Sequence, residues 1–181
     1  MKQKKEHMVA LTGRAHKVME LLVKGLEWDV DDSSKMHKKI DNSNGTFMAV
    51  HVEFINKHNN GIVGDVFSVA HHYEQNGDTM RDPDVEFLRN SDKFYPIYFR
   101  QDGAGGTEQK VLVFDGEGHV TGWRPKMQAE IASFCNQVWM PNIKRQQGLT
   151  FLKREPNAKS PIRNDAYVLD EQREAEKTEG A

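Results

Sequence analysis

The stretch His71-His72-Tyr73-Glu74-Gln75-Asn76-Gly77-Asp78-Thr79-Met80-Arg81-Asp82-Pro83 decides how this chain folds. Asn76-Gly77 at its centre is the strongest short hairpin signal, because both central residues of a type I′ turn need positive φ. Folded about that turn, Gln75 opposes Asp78, Tyr73 opposes Met80 and His71 opposes Asp82. His72, Glu74, Thr79 and Arg81 then project from the other face. Pro83 has no N–H to give to a ladder, so a bulge or an edge is expected at Asp82-Pro83.

The same period of two extends in both directions. Upstream, residues 63–75 read as one strand, and from Thr46 onward Phe47, Ala49, His51 and Glu53 alternate with Met48, Val50, Val52 and Phe54. Downstream, residues 84–88 resume the pairing and residues 94–101 form the next strand. Residues 110–115 and 119–123 make a hairpin around Gly116-Glu117-Gly118. Residues 29–44 are polar and rich in turn formers, which predicts a loop with at most short strands.

Helical spacing brackets this run. Met8, Leu11, Ala15, Val18, Leu22 and Leu26 recur every three or four residues, predicting a helix over residues 7–24 with Gly25 as its cap. Gly13 weakens its first turns by about 1 kcal/mol relative to Ala. A second helix begins at Pro125, whose missing N–H is harmless in a first turn. Met127, Ile131, Phe134, Cys135, Val138 and Trp139 form its apolar face, Pro141 should kink or split it, and Gly148 closes it. Helix, consecutive hairpins, helix gives an α+β domain: an antiparallel meander sheet packed by an N-terminal and a C-terminal helix, its other face open. The domain spans residues 1–149, and residues 150–181 form a flexible or partly helical tail.

Composition narrows the function classes. The chain has 181 residues, 37% hydrophobic and 29% charged, with a formal charge of −2, so no global field draws it to nucleic acid or acidic lipid. The single cysteine, Cys135, excludes an intrachain disulfide and a thiolate zinc cluster. No apolar run approaches a membrane span and no signal-peptide core follows the basic N-terminus, so a cytoplasmic location is expected.

The central hairpin also holds the densest group of reactive side chains. His71 facing Asp82 suits a proton-transfer pair or half a metal site, and a cross-strand ion pair as the plainer reading. Glu74, Asn76, Asp78 and Asp82 have calcium-loop spacing, but Val85 and Thr79 stand where a Glu and a Gly are needed. The glycine-rich residues 103–106 lie between strands, with Lys110 misplaced for a phosphate loop. Ser68 lacks a nucleophile elbow, and Cys135 sits on an apolar helix face. The other histidines, His7, His16, His37, His51, His58 and His119, show no ligand spacing. Lys35, Lys38 and Lys39, then Lys144, Arg145, Lys153 and Arg154, make two basic patches, and Tyr95, Tyr98 and Phe99 share a strand. That set offers single-stranded nucleic-acid binding.

The motif His72-Tyr73-Glu74-Gln75-Asn76-Gly77-Asp78, then Met80-Arg81-Asp82-Pro83, Tyr95-Pro96-Ile97 and Arg100-Gln101-Asp102, resembles an uncharacterised domain family of accessory genes in phages, plasmids and integrative elements. The resemblance covers residues 21–149. It implies a mobile-element setting and the helix–sheet–helix order, with no assigned activity, catalytic residue or cofactor to transfer. The leading expectation is a non-enzymatic accessory protein that binds a protein partner, such as a host-defence or host-takeover factor. Its contact surface would lie around Glu74, Asn76, Asp78, Asp82, Tyr95, Arg100 and Gln101. Single-stranded nucleic-acid binding is the first alternative. A metal-dependent hydrolase built on His71, His72, Glu74, Asp78 and Asp82 is the second.

Overall fold

A computed structural model describes residues 7–103 and 105–151, so most of the expected tail lies outside the described residues. Six strands run in sequence order across one antiparallel sheet: β1 (His37–Ile40), β2 (Val50–His58), β3 (Gly64–Gln75), β4 (Asp78–Asn90), β5 (Lys93–Gln101) and β6 (Thr107–Lys110). β2 to β5 follow the meander expected from the alternation, with β2 beginning at Val50 and not at Thr46; β1 is a short strand within residues 29–44, and β6 adds an edge strand that the alternation did not predict. Asn76 and Gly77 take φ of 56° and 88°, as the type I′ turn demands, and Gln75 pairs with Asp78 and Tyr73 with Met80. β7 (Leu112–Phe114) and β8 (Val120–Trp123) form a separate two-stranded ribbon.

β4 does not break at Asp82-Pro83. Ala70 pairs with Asp84 and His72 with Arg81, so Asp82 and Pro83 together face His71 in a bulge. β5 carries a second bulge: Glu86 pairs with Tyr98 and Phe87 with Pro96, leaving Ile97 as the extra residue. This settles which β5 residues are core. Phe94 and Pro96 point to the helices, the bulge resets the alternation, and Phe99 follows them, packing edge-on against Phe134.

The three helical pieces α1 (Gly13–Val23), α2 (Pro125–Phe134) and α3 (Met140–Gln146) lie on one face. Val18, Met19, Leu22, Ile131, Cys135, Trp139 and Ile143 meet Val50, Val52, Phe67, Val69, Val85 and Phe87 there. Each of the large side chains among them is worth about 1.5–3 kcal/mol of burial. On the opposite face a smaller cluster, Val66, Leu88, Ile97 and Leu112, is roofed by Val120 and Trp123 of the ribbon.

Two helical expectations change. α1 starts at Gly13, not at His7, because the preceding backbone is taken by side chains from the C-terminal helices. Gln128 accepts from the Val9 N–H and donates to the Val9 carbonyl, both at 2.8 Å, and Asn136 holds Thr12 N at 2.8 Å and Ala10 O at 3.3 Å. Leu11 N reaches Phe94 O on the sheet at 2.8 Å. The second is the form that the interruption expected at Pro141 takes: the helix divides into α2 and α3 just before the proline. A π-helical turn, Cys135–Trp139, joins α2 to α3, with Met140 N–H donating to Cys135 O, one residue further back than in an α-helix. Within that turn Val138, expected on the buried face, is 47% exposed. Gly148, at φ 60°, ends α3, and Leu149 N caps Lys144 O at 2.9 Å.

Candidate functional site

The helices cover one face of the sheet, and most of the other carries polar side chains in fixed register. Where Val50, Val52 and Phe54 point inward, His51 and Glu53 point outward. Cross-strand pairing extends these into two rows across all six strands. One is Lys39, His51, Ala70, Asp84, Arg100 and Glu108; the other is His37, Glu53, Ser68, Glu86, Tyr98 and Lys110. Neighbours in such a row stand about 4.5–5.5 Å apart at Cβ, so each row acts as a prearranged set of donors, acceptors and charges.

A hydrogen-bonded chain locks the middle of this face. Ser68 Oγ donates to Asp84 Oδ1 at 2.7 Å, and Arg81 Nε lies 3.3 Å from Asp84 Oδ2. The same guanidinium reaches Asp102 Oδ2 at 3.3 Å, and Arg100 Nε donates to Asp102 Oδ1 at 2.7 Å. The Arg100 bond holds the Asp102 carboxyl below the usual carboxylate range, against a smaller opposing effect of burial. Tyr98 donates its phenol to Glu108 at 3.0 Å, and burial, reinforced by that carboxylate, raises its pKa.

Glu86 sits between these groups. Burial, with Asp84 as a nearby like charge, pushes its carboxyl up to about 7. It borders a cavity of about 500 Å³ between the sheet and the β7–β8 ribbon, with apolar walls from Ile55, Val66, Ile97 and Leu112 and aromatic ones from Tyr98 and Phe114. A concave, mostly apolar space with one carboxyl of displaced pKa has the attributes of a binding site.

The histidines are less scattered than their spacing predicts. His37, His51 and His72 come together across β1, β2 and β3: His37 Nε2 is 3.3 Å from His51 Nδ1, and the His51 and His72 rings are 5.0 Å apart. Burial, then the charges of His72, His37 and Lys39, lower the pKa of His51. Among the described residues no group of three or more His, Cys, Asp or Glu is arranged to hold a metal ion.

Glu74, Asn76 and Asp78 are exposed at the hairpin tip. Asp82 accepts from Gln101 Nε2 at 2.6 Å, which ties β4 to β5, and Arg100 lies beside them in the Asp102 network. Tyr95 is elsewhere, opposite Leu88 toward the other end of β4. The set proposed for a metal hydrolase is divided between faces. His71 is buried against Trp139 with rings 6.0 Å apart, while His72 looks outward toward His51. Of the first basic patch, Lys38 turns inward, donating to the carbonyls of Leu21 (3.2 Å) in α1 and Lys24 (2.8 Å) just past it, and burial, with the Lys24 charge, lowers it to about 8. Lys35 pairs with Asp29 at 2.6 Å. Lys153 and Arg154 lie outside the described residues.

Sequence reasoning passed over Glu86 and Asp84, and weighed Ser68 only as a nucleophile. The available signal was the alternation Asp84-Val85-Glu86-Phe87, which places two acids on the face away from the core.

A model of a protein family described as a domain of unknown function, DUF6908, matches residues 16–149. The chain belongs to the DUF6908 family. The match runs from the first turn of α1 to Leu149, so the DUF6908 domain takes in the whole sheet, the ribbon, α2, α3 and most of α1. Comparisons of this DUF6908 protein with curated proteins and with solved structures find no match. Among the described residues no helix is long and apolar enough to cross a membrane.

Proposed function

We propose that this DUF6908 protein is a non-enzymatic accessory protein of a phage or other mobile element, working in the cytoplasm by binding a protein partner through the open face of its sheet. The observation that carries this reading is the pair of polar rows spanning six strands. Protein partners are selected by complementary charges of both signs at fixed positions. A face that mixes Lys39, Arg100 and Lys110 with Glu53, Asp84 and Glu108 suits such a partner better than a uniform polyanion, which rewards cations alone. The hairpin tip, with Glu74, Asn76 and Asp78, borders this face and extends the surface. The mobile-element setting rests on the sequence motif around Asn76-Gly77, and the genes flanking this one would test it.

The binding test is capture from a lysate of the natural host, comparing the full chain with charge reversals. Lys39→Glu, Glu53→Lys and Arg100→Glu alter the open face; Lys126→Glu, at an exposed α2 site on the helical side, is the control. A specific protein retained by wild type and Lys126→Glu, and lost from the three face variants, supports the reading. Equal recovery by all four variants, or no protein retained by wild type, contradicts it.

A further inference from the structure

The polar groups around the cavity under the β7–β8 ribbon are unequally satisfied. Arg124 Nη1 donates to the carbonyls of Lys110 at 2.6 Å and Leu112 at 3.3 Å. Lys110 Nζ lies 3.3 Å from Glu108, which also accepts from Tyr98. Both cations bordering the cavity therefore already have acceptors. The Glu86 carboxyl has no hydrogen-bond or ion-pair partner among the described residues, although it is half-buried. A carboxylate withdrawn from water without a partner must either keep its proton or acquire a cation.

The remaining walls say which kind of cation. Ile55, Val66, Ile97 and Leu112 exclude a strongly hydrated metal ion, which needs several oxygen ligands, whereas they suit a hydrocarbon body. Tyr98, directly across the strand pair from Glu86, and Phe114, stacked on His58 at 6.1 Å, add aromatic rings. A carboxylate flanked by aromatic rings attracts an ammonium through both charge and quadrupole. The volume, about 500 Å³, falls in the range of small-molecule sites.

We propose that this cavity binds a small organic cation, a primary ammonium on an apolar or aromatic body, with Glu86 as its counter-ion. The site shares Glu86, Tyr98 and Lys110 with the second polar row but takes a small molecule, and it stands whether or not a protein partner exists.

Benzylamine is the probe, added to the full chain while the methyl signals of Ile55, Val66, Ile97 and Leu112 are followed by NMR. At about pH 8, where Glu86 is ionised and benzylamine protonated, saturable shifts of these methyls are expected. Benzyl alcohol and benzoate, of the same shape but neutral and anionic, should bind at least about tenfold more weakly. Glu86→Gln should lose at least about tenfold in benzylamine affinity while keeping the backbone amide spectrum. Acidification to about pH 5.5 should weaken binding by protonating Glu86. His58 also lines the cavity, so the pH effect is read against Glu86→Gln, where the imidazole is kept and the carboxyl is gone. The other charged groups around Glu86 and the cavity, Asp84, Arg100, Glu108, Lys110 and Arg124, are present in both chains, so the comparison cancels their contribution. Tighter binding of benzoate, unchanged affinity in Glu86→Gln, or no saturable shift at those methyls would overturn the proposal. Should Glu86→Gln fail to fold, the three probes on the wild-type chain still decide it.

Discussion

Glu86 and Gly61 show how single positions shape the region under the ribbon. Glu86 binds its proton more tightly in the folded chain, at about 7 against an ordinary 4.5. Its contribution to stability is therefore full below about pH 4.5, declines as pH rises to about 7, and is flat above. Glu86→Gln removes the penalty. We expect it to be more stable than wild type by about 2 kcal/mol at alkaline pH, after allowing for partial exposure, with the gain vanishing in acid. Urea unfolding at the two pH extremes checks both the sign and the window. Gly61 is constrained differently. Its φ is +82°, and a Cβ there would lie 2.3 Å from the Val120 carbonyl oxygen, a backbone atom that cannot swing aside. Asn60 O also accepts from Val120 N at 3.0 Å, so this turn is the seat on which β8 rests. Gly61→Ala should cost about 2–3 kcal/mol, read by chemical denaturation, and should loosen the amides of β7 and β8 in hydrogen exchange before those of β3 and β4.

Among elements, the strands were the most legible, because alternation and turn chemistry are local. Asn76-Gly77 alone fixes the register of two strands, and Phe94, Pro96 and Phe99 become core through one bulge that no local rule announces. The start of α1 was misread for a physical reason. Met8 and Leu11 do have helical spacing, and both pack toward the core, but they do so from an extended segment whose backbone is satisfied by distant residues, Gln128, Asn136 and Phe94. Gln128 is the decisive partner, only 1% exposed and bonded to both polar groups of Val9. Gln128→Leu fills the same space but leaves that N–H and carbonyl unpaired. It should cost about 1–3 kcal/mol and speed hydrogen exchange at Val9 and Leu11, with little change at Ala15 or Val18. The π-helical turn was equally unreadable, since a proline only says that a hydrogen bond is missing and not how the chain absorbs the loss.

At the scale of the whole molecule, one sheet has two unlike faces, one sealed by three helical pieces and one left with charges in register. The expectation of an open face came from counting helices against strands and needed no side-chain detail. The composition of that face did not come the same way. His37, His51 and His72 are separated by 14 and 21 positions and meet only because three strands align. Glu86 becomes unusual only when a ribbon some 30 residues later folds over it. Tyr95, conversely, seemed part of the hairpin patch by motif and lies away from it by register. The lone Cys135, buried with its thiol pKa pushed up by desolvation, supplies the most direct test of the two faces. Thiol labelling of native wild type should be negligible until the chain is unfolded, whereas Glu53→Cys and Arg100→Cys should each gain one rapidly labelled thiol. Rapid modification of Cys135 in the folded chain, or protection of both introduced thiols, would contradict a sheet sealed on its helical side and open on the other.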